Sequence, residues 1–291
     1  MSSVIVSSKA TASNSTAPTQ YVTVGDNRYA YRQFGSGPGL PLLFLQHFTG
    51  TLDNWDPAVT DPLALGRSVI LFESAGIGRS SGKVPTTVAG MADHALQFLD
   101  ARGLSQVDVL GFSLGGMVAQ VMALKRPALF RRIILTGTGP EGGVGVAMDR
   151  PELLKIFADQ KMPSSEKLLK LFFATTETSQ SAGHQFVQRL ARRTQDKDIP
   201  TTAESAGAQL AAMAAWEKSG GEPYADLKKI MQPVLVTNGN NDIMIPTVNS
   251  FTLSAHLADA QLIIYPDSGH GALFQYAGAY TSHVSEFLDR K

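Results

Sequence analysis

The chain contains short runs of mostly apolar residues, separated by segments in which apolar residues recur every three or four positions. The runs lie at residues 41–45, 68–72, 107–110, 132–136, 233–238 and 261–265. Runs of this length predict strands buried on both faces of a sheet, and the spaced segments predict helices. Strands that alternate with helices predict right-handed βαβ units, and hence an α/β fold with a mostly parallel sheet flanked by helices.

The amino-terminal part departs from this alternation. Residues 21–24 and 28–34 flank a Gly-Asp-Asn turn at residues 25–27, which predicts a β-hairpin. Residues 1–19 are rich in serine, threonine and alanine and show no apolar period. We therefore expect a flexible tail over residues 1–19.

A second departure follows the sixth predicted strand. From residue 141 to residue 227 only helical patterns occur, at about residues 151–160, 165–174, 179–194 and 202–218. Thr201 and Glu204 predict a capping box at the start of the last helix. A helical insertion between two sheet strands has to lie over the strand ends. We therefore expect a cap (residues 141–227) above a core made of residues 20–140 and 228–291.

The apolar residues of this insertion are expected to serve mostly in packing, because they recur at helical spacing. A cap over the strand ends also supplies the roof of any binding pocket there. On the last cap helix, Met213 and Trp216 are the residues that we predict to contact a substrate.

Composition narrows the class of function. Lysine plus arginine and aspartate plus glutamate both number 25, which argues against a nucleic-acid or anionic-membrane partner. The chain has no cysteine, so disulfides and thiolate metal sites are excluded. No apolar run approaches the ~18–20 residues of a membrane span. We expect a cytoplasmic protein that acts on a small molecule without a metal or other cofactor; the oligomeric state is left open.

The strand predicted at residues 107–110 leads directly into a G-x-S-x-G pattern with Ser113 at its centre, and a helical pattern follows. A strand-to-helix turn of this kind holds a serine in a strained backbone and exposes its hydroxyl at the carboxyl end of the strand. The next amide, that of Leu114, lies at a helix N-terminus, where free N–H groups favour negative charge. We therefore interpret Ser113 as a nucleophile.

A nucleophilic serine needs a base, and the base works better when a carboxylate holds its tautomer. Asp242 and His270 follow the last two predicted strands. Because the carboxyl ends of parallel strands meet at one sheet edge, we predict that Ser113, Asp242 and His270 form a catalytic triad. Four other histidines lie on predicted helices and favour packing or surface roles: His94, His184, His256 and His283.

Five segments make the chain resemble α/β-hydrolases of the esterase, lactonase and cofactor-free haloperoxidase type. They are residues 46–55, 73–82, 111–116, 239–246 and 268–271. The resemblance implies an oxyanion hole formed by the amides of Leu114 and Phe48. Gln46-His47 replaces the usual His-Gly pair of the family, and we expect His47 to line the site and contact substrate.

The resemblance also leaves alternatives open. In some relatives the acid follows the strand after the nucleophile's helix, where this chain has Glu141, so Glu141 is an alternative to Asp242. Serine at position 113 argues against epoxide hydrolases and haloalkane dehalogenases of this fold, which use aspartate.

Three hypotheses for the function follow. The first is a serine hydrolase that cleaves a small or medium, mainly apolar ester or lactone through an acyl-enzyme on Ser113. The second keeps the triad and hydrolyses a carbon–carbon bond, or forms peracids as a cofactor-free haloperoxidase does. The third is a small-molecule receptor with this fold, since fold alone does not determine function.

Overall fold

The computed structural model describes residues 13–218 and 220–290. Within them the chain forms one eight-stranded sheet with the order β1-β2-β4-β3-β5-β6-β7-β8. The strands are β1 (Gln20–Val24), β2 (Asn27–Phe34), β3 (Gly39–Leu45), β4 (Arg67–Phe72), β5 (Val107–Phe112), β6 (Phe130–Thr136), β7 (Val234–Gly239) and β8 (Ala260–Tyr265). Strand β2 pairs antiparallel with β1 and β4, and the other neighbouring strands are parallel. The predicted fold class is confirmed.

Helices cover the sheet and fill the insertion after β6. They are α1 (Pro57–Leu63), α2 (Val88–Ala101), α3 (Leu114–Lys125), α4 (Pro151–Ala158), α5 (Ser164–Phe172), α6 (Glu177–Leu190), α7 (Ala203–Glu217), α8 (Val248–His256), α9 (Ala272–Gln275) and α10 (Ala277–Asp289), with 3₁₀ turns at Leu52–Asn54, Pro127–Leu129 and Leu227–Lys229. Helices α4 to α7 all lie between β6 and β7. Among the described residues, no helix is both long and apolar enough to cross a membrane.

The central strand β5 is buried along its whole length, between β3 and β6. Helix α3 packs closely against the carboxyl ends of β5 and β3, and the glycines of the G-x-S-x-G pattern allow this approach. A Cβ atom at Gly111 would overlap the Gly115 carbonyl group, and one at Gly115 would overlap the carbonyl group of Leu45. The pattern is therefore needed for packing as well as for the turn at Ser113.

Two expectations about local structure need correction. The predicted flexible tail lies outside the described residues over positions 1–12, but residues 13–19 pack on the protein. The Asn14 side-chain amide donates to Trp55 O over 2.7 Å, and the Arg193 guanidinium donates to Asn14 O and Ala17 O, each over 3.0 Å. Buried partners of this kind hold a segment whose composition alone predicts flexibility.

The capping box predicted at Thr201 and Glu204 is wrong by one residue. The N-cap of α7 is Thr202, whose hydroxyl accepts the Ser205 N–H over 3.1 Å. The Thr201 hydroxyl instead donates to Thr49 O over 2.8 Å. The Thr201 side chain therefore makes a tertiary contact and is not the N-cap of α7 that the local pattern predicts.

Candidate active site

Ser113 occupies a sharp turn between β5 and α3. Its φ of +57° and ψ of −121° lie in a region that residues other than glycine rarely adopt. Two backbone hydrogen bonds hold it there: Ser113 N–H donates to Thr136 O and Gly116 N–H donates to Ser113 O, each over 2.9 Å. The residue is completely buried, and its Oγ has no hydrogen-bond partner among the described residues. A strained turn thus presents an unpaired hydroxyl.

Asp242 and His270 form a buried pair. His270 Nδ1–H donates to Asp242 Oδ2 over 2.7 Å. The other carboxylate oxygen, Oδ1, accepts the N–H groups of Met244 and Ile245 over 2.8 and 2.9 Å. With both oxygens occupied, the carboxylate holds the imidazole proton on Nδ1 and leaves Nε2 as an acceptor.

All three residues lie at the carboxyl edge of the sheet, since Ser113 follows β5, Asp242 follows β7 and His270 follows β8. The His270 ring lies against Phe112, with ring centroids 4.8 Å apart. Like Ser113 Oγ, His270 Nε2 is buried and has no partner in the described part of the chain. An unpaired hydroxyl and an unpaired imidazole nitrogen at one edge suit general-base activation of a nucleophile.

Two backbone N–H groups nearby are also without acceptors. The Leu114 amide begins α3, and the Phe48 amide belongs to a loop that we call the oxyanion loop (residues 46–51). Within the residues that the structure describes, neither N–H donates to a protein acceptor. Free donors at a helix N-terminus and in an adjacent loop suit stabilisation of developing negative charge.

His47 is buried between aromatic rings, with centroids 5.4 Å from Phe112 and 5.2 Å from Phe172. Its Nδ1–H donates to Phe48 O over 2.8 Å. Burial, and to a smaller degree the neighbouring His270, lower the pKa of His47 to about 3, so this ring is neutral. Its Nε2 has no partner among the described residues and therefore adds an acceptor near the His270 imidazole.

Replacing His47 by phenylalanine should make folding less sensitive to acid. The pKa of His47 is about 3 in the folded protein against an ordinary 6.5, so protons bind the unfolded chain and stability falls as pH drops from 6.5 toward 3. This loss amounts to about 2 kcal/mol between about pH 6.5 and pH 5. We therefore expect the free energy of unfolding, measured in urea, to fall by about 2 kcal/mol less in His47→Phe than in the wild type over this pH range.

The matched control is the exposed His184, where His184→Gln should keep the wild-type pH dependence. If His47→Phe and the wild type lose stability equally between neutral and mildly acidic pH, His47 is not held neutral by burial.

Trp216 and Met213, the two cap residues predicted to contact a substrate, are both buried. The indole N–H of Trp216 donates to Gly139 O over 3.3 Å, and Trp216 lines a separate cavity of about 450 Å³ with Glu141. The walls of that cavity include neither Ser113 nor His270. Met213 is fully buried in the hydrophobic core. Trp216 thus lines a cavity away from Ser113 and His270, and contact of Met213 with a substrate stays a prediction.

Two cap phenylalanines, which the sequence pattern placed only among packing residues, lie against the site instead. The Phe172 ring is 5.3 Å from that of His270, and Phe157 is 5.4 Å from Phe48 between ring centroids. Their helical spacing predicts an apolar helix face but not the surface that this face contacts. The sequence therefore did not indicate that these two rings lie against the site.

Beside Leu114 the structure has a cavity of about 10 Å³, enough for roughly one water molecule, and its lining residues also include neither Ser113 nor His270. Ser113 is inaccessible to solvent. A substrate therefore reaches Ser113 only after neighbouring side chains move.

Known proteins similar to this chain have the same fold. The family profile of the alpha/beta hydrolase fold matches residues 41–277. An alpha/beta hydrolase fold protein from Chitinophaga pinensis superposes with a TM-score of 0.89 at 42% identity, over 96% of this chain and 100% of that chain. The 2-hydroxymuconate semialdehyde hydrolase of Pseudomonas sp. (strain CF600) is 28% identical over 272 residues, 87% of this chain and 88% of its own length. The enol-lactonase from Burkholderia xenovorans LB400 superposes with a TM-score of 0.73 at 17% identity, over 93% of this chain and 100% of that chain. The chain belongs to the α/β-hydrolase fold family.

Proposed function

We propose that this protein is a serine hydrolase that cleaves a small or medium, mainly apolar ester or lactone. The observation that carries the proposal is the hydrogen-bonded Asp242–His270 pair at the same sheet edge as the strained, unpaired Ser113. Nucleophile, acid and base follow one another along the chain in the order typical of this fold.

In the proposed reaction Ser113 Oγ attacks the substrate carbonyl carbon while His270 Nε2 takes the hydroxyl proton. The Phe48 and Leu114 N–H groups stabilise the oxyanion of the tetrahedral intermediate. His270 then gives the proton to the leaving alkoxide, and the acyl group stays on Ser113. Water repeats the sequence with His270 as base and releases the carboxylic acid.

An uncharged substrate suits the polarity of the small cavity beside Leu114, which includes the neighbour of Ser113 in its lining. The small cavity beside Leu114 is lined by apolar side chains such as Ile77, Met91 and Val118 and by uncharged polar ones, including the neutral His47. None of its lining residues is a lysine, arginine, aspartate or glutamate. A carboxylate on the substrate would lose its hydration there without gaining a cationic partner.

Hydrolysis of a carbon–carbon bond is the second candidate, and the similarity to 2-hydroxymuconate semialdehyde hydrolase favours it. Such a reaction also needs a base, an activated nucleophile and donors for a developing oxyanion. The unpaired Nε2 of His47 offers such a substrate an acceptor for a hydroxyl group.

A substrate panel separates these candidates. Neutral esters and lactones of increasing acyl length, together with 2-hydroxymuconate semialdehyde, are assayed with the wild type and with Ser113→Ala. We expect the highest kcat/KM for a neutral ester or lactone of short to medium length, and no turnover by the variant. Turnover of the semialdehyde alone would replace ester hydrolysis by the second candidate, and peracid formation from an acid and peroxide would favour a perhydrolase. A single burst of product without turnover would indicate a receptor.

A further inference from the structure

The oxyanion loop leaves two backbone donors, those of Gln46 and Phe48, without an acceptor among the described residues. Four of its amides donate to acceptors in the structure: those of His47, Thr49, Gly50 and Thr51. The Phe48 N–H has no acceptor among the described residues. Because unpaired N–H groups inside a protein are costly, the free amide of the buried Phe48 points to a bound ligand atom.

A strained turn orients that donor. Gly50 N–H donates to His47 O over 3.0 Å and closes a β-turn with Phe48 and Thr49 as its central residues. Thr49 has a φ of +59°, a conformation that favours glycine at this position of a turn. The His47 carbonyl and the Phe48 N–H belong to one planar peptide group. Whatever holds Thr49 in this conformation therefore also orients the Phe48 N–H.

The helical insertion holds Thr49 on both sides. Thr49 N–H donates to the side-chain oxygen Oε1 of Gln209 over 2.8 Å. The Thr201 hydroxyl donates to Thr49 O over 2.8 Å. Gln209 is a buried residue of α7, and Thr201 lies just before this helix. The partners of the strained residue thus come from the cap and not from the loop itself.

A buried ion-pair cluster attaches the segment before α7 to the core. Asp198 N–H donates to Asp53 Oδ2 over 2.9 Å, and Asp53 N–H donates to Asp198 Oδ2 over 2.8 Å. The fully buried Arg32 of β2 pairs with Asp53 over 2.8 Å and with Asp198 over 2.9 Å. Asp53 lies two residues beyond the oxyanion loop. The cluster therefore holds α7 in a defined position relative to the loop.

We propose that Gln209 and Thr201 are positioning residues of the oxyanion hole. They stabilise the positive-φ conformation of Thr49 and thereby aim the Phe48 N–H at the substrate oxyanion. This inference rests on the proposed function, because it needs Phe48 as an oxyanion donor. On this proposal, the oxyanion hole is complete only while α7 packs on the oxyanion loop.

The variant Gln209→Met removes the acceptor and keeps a side chain of similar length. We expect kcat for a p-nitrophenyl ester to fall by about 10- to 100-fold while KM changes less than about twofold, because the lost interaction serves the transition state. The rate at which a phosphonate labels Ser113 should fall by a similar factor, since that reaction also develops charge on oxygen.

Rescue experiments separate positioning from packing. Gln209→Glu keeps an oxygen acceptor and should retain most of the wild-type kcat. Adding Thr49→Gly to Gln209→Met relieves the strain at positive φ and should recover kcat, which a packing defect does not predict. The matched control is the exposed Gln188 of α6, where Gln188→Met should leave kcat unchanged. If Gln209→Met does not fold, Thr201→Val carries the same test and Thr201→Ser its rescue.

An unchanged kcat in Gln209→Met, or a rise in KM alone, would overturn the proposal. So would a loss of kcat that neither Gln209→Glu nor Thr49→Gly recovers. The variant Ser113→Ala distinguishes this failure from failure of the proposed function. If Ser113→Ala is active, the serine mechanism is wrong. If Ser113→Ala is inactive while Gln209→Met has a normal kcat, only the positioning role of Gln209 is wrong.

Discussion

Replacing Ser113 by alanine is expected to lower kcat by on the order of 10⁵- to 10⁶-fold and to leave the fold intact. The change deletes the oxygen that forms the acyl-enzyme. It breaks no hydrogen bond in the folded protein, because Oγ has no partner among the described residues. Steady-state kinetics on one ester measures the loss, and circular dichroism with a thermal melt measures the fold.

Mass spectrometry supplies the second readout. A phosphonate or sulfonyl fluoride should label Ser113 in the wild type and leave Ser113→Ala unmodified. The exposed Ser282 of α10 is the matched control, because Ser282→Ala should be labelled and active like the wild type. Label on another residue, or near-normal activity in Ser113→Ala, would contradict the mechanism.

The second large effect is expected at the acid. Asp242→Asn should lower kcat by on the order of 10³- to 10⁴-fold with little change in substrate binding. The carboxylate holds the proton on His270 Nδ1, and an amide in its place can donate to that nitrogen and favour the wrong tautomer. Kinetics of the variant on one ester, with circular dichroism as a check of folding, measures this.

Glu141→Gln tests the alternative acid under the same conditions. Glu141 lines the cavity beside Trp216, where burial and the nearby Asp226 raise its pKa. Since His270 bonds to Asp242, we expect Glu141→Gln to lose less than about tenfold in kcat. The reverse order, with the larger loss in Glu141→Gln, would make Glu141 the acid of the triad.

Much of the fold is predictable because its signals are short-range. An apolar run of five or six residues predicts a buried strand wherever it occurs, and each of the six runs became a strand with ends shifted by a few residues. The turn at Ser113 is equally local, because the glycines that allow it lie within two residues of the serine. The prediction that Ser113, Asp242 and His270 come together required only that the carboxyl ends of parallel strands meet at one edge of the sheet.

The contacts between distant segments were not predictable in this way. Thr201 matched a capping box, but its hydroxyl bonds to Thr49, 152 residues away in sequence. Trp216 and Phe172 have the same helical spacing, yet only Phe172 lies against His270. A periodic pattern identifies the buried face of a helix without identifying the surface on which that face rests.

The sequence by itself therefore determined the strands and the strained turn at Ser113, because each depends on neighbours a few positions away. Only the tertiary structure decided that Asp242 and not Glu141 bonds to His270, that Phe172 covers the site, and that Gln209 supports the oxyanion loop. These contacts join residues that are far apart in the chain. Their partners are set by how helices pack on the sheet, and local residue pattern does not encode that packing.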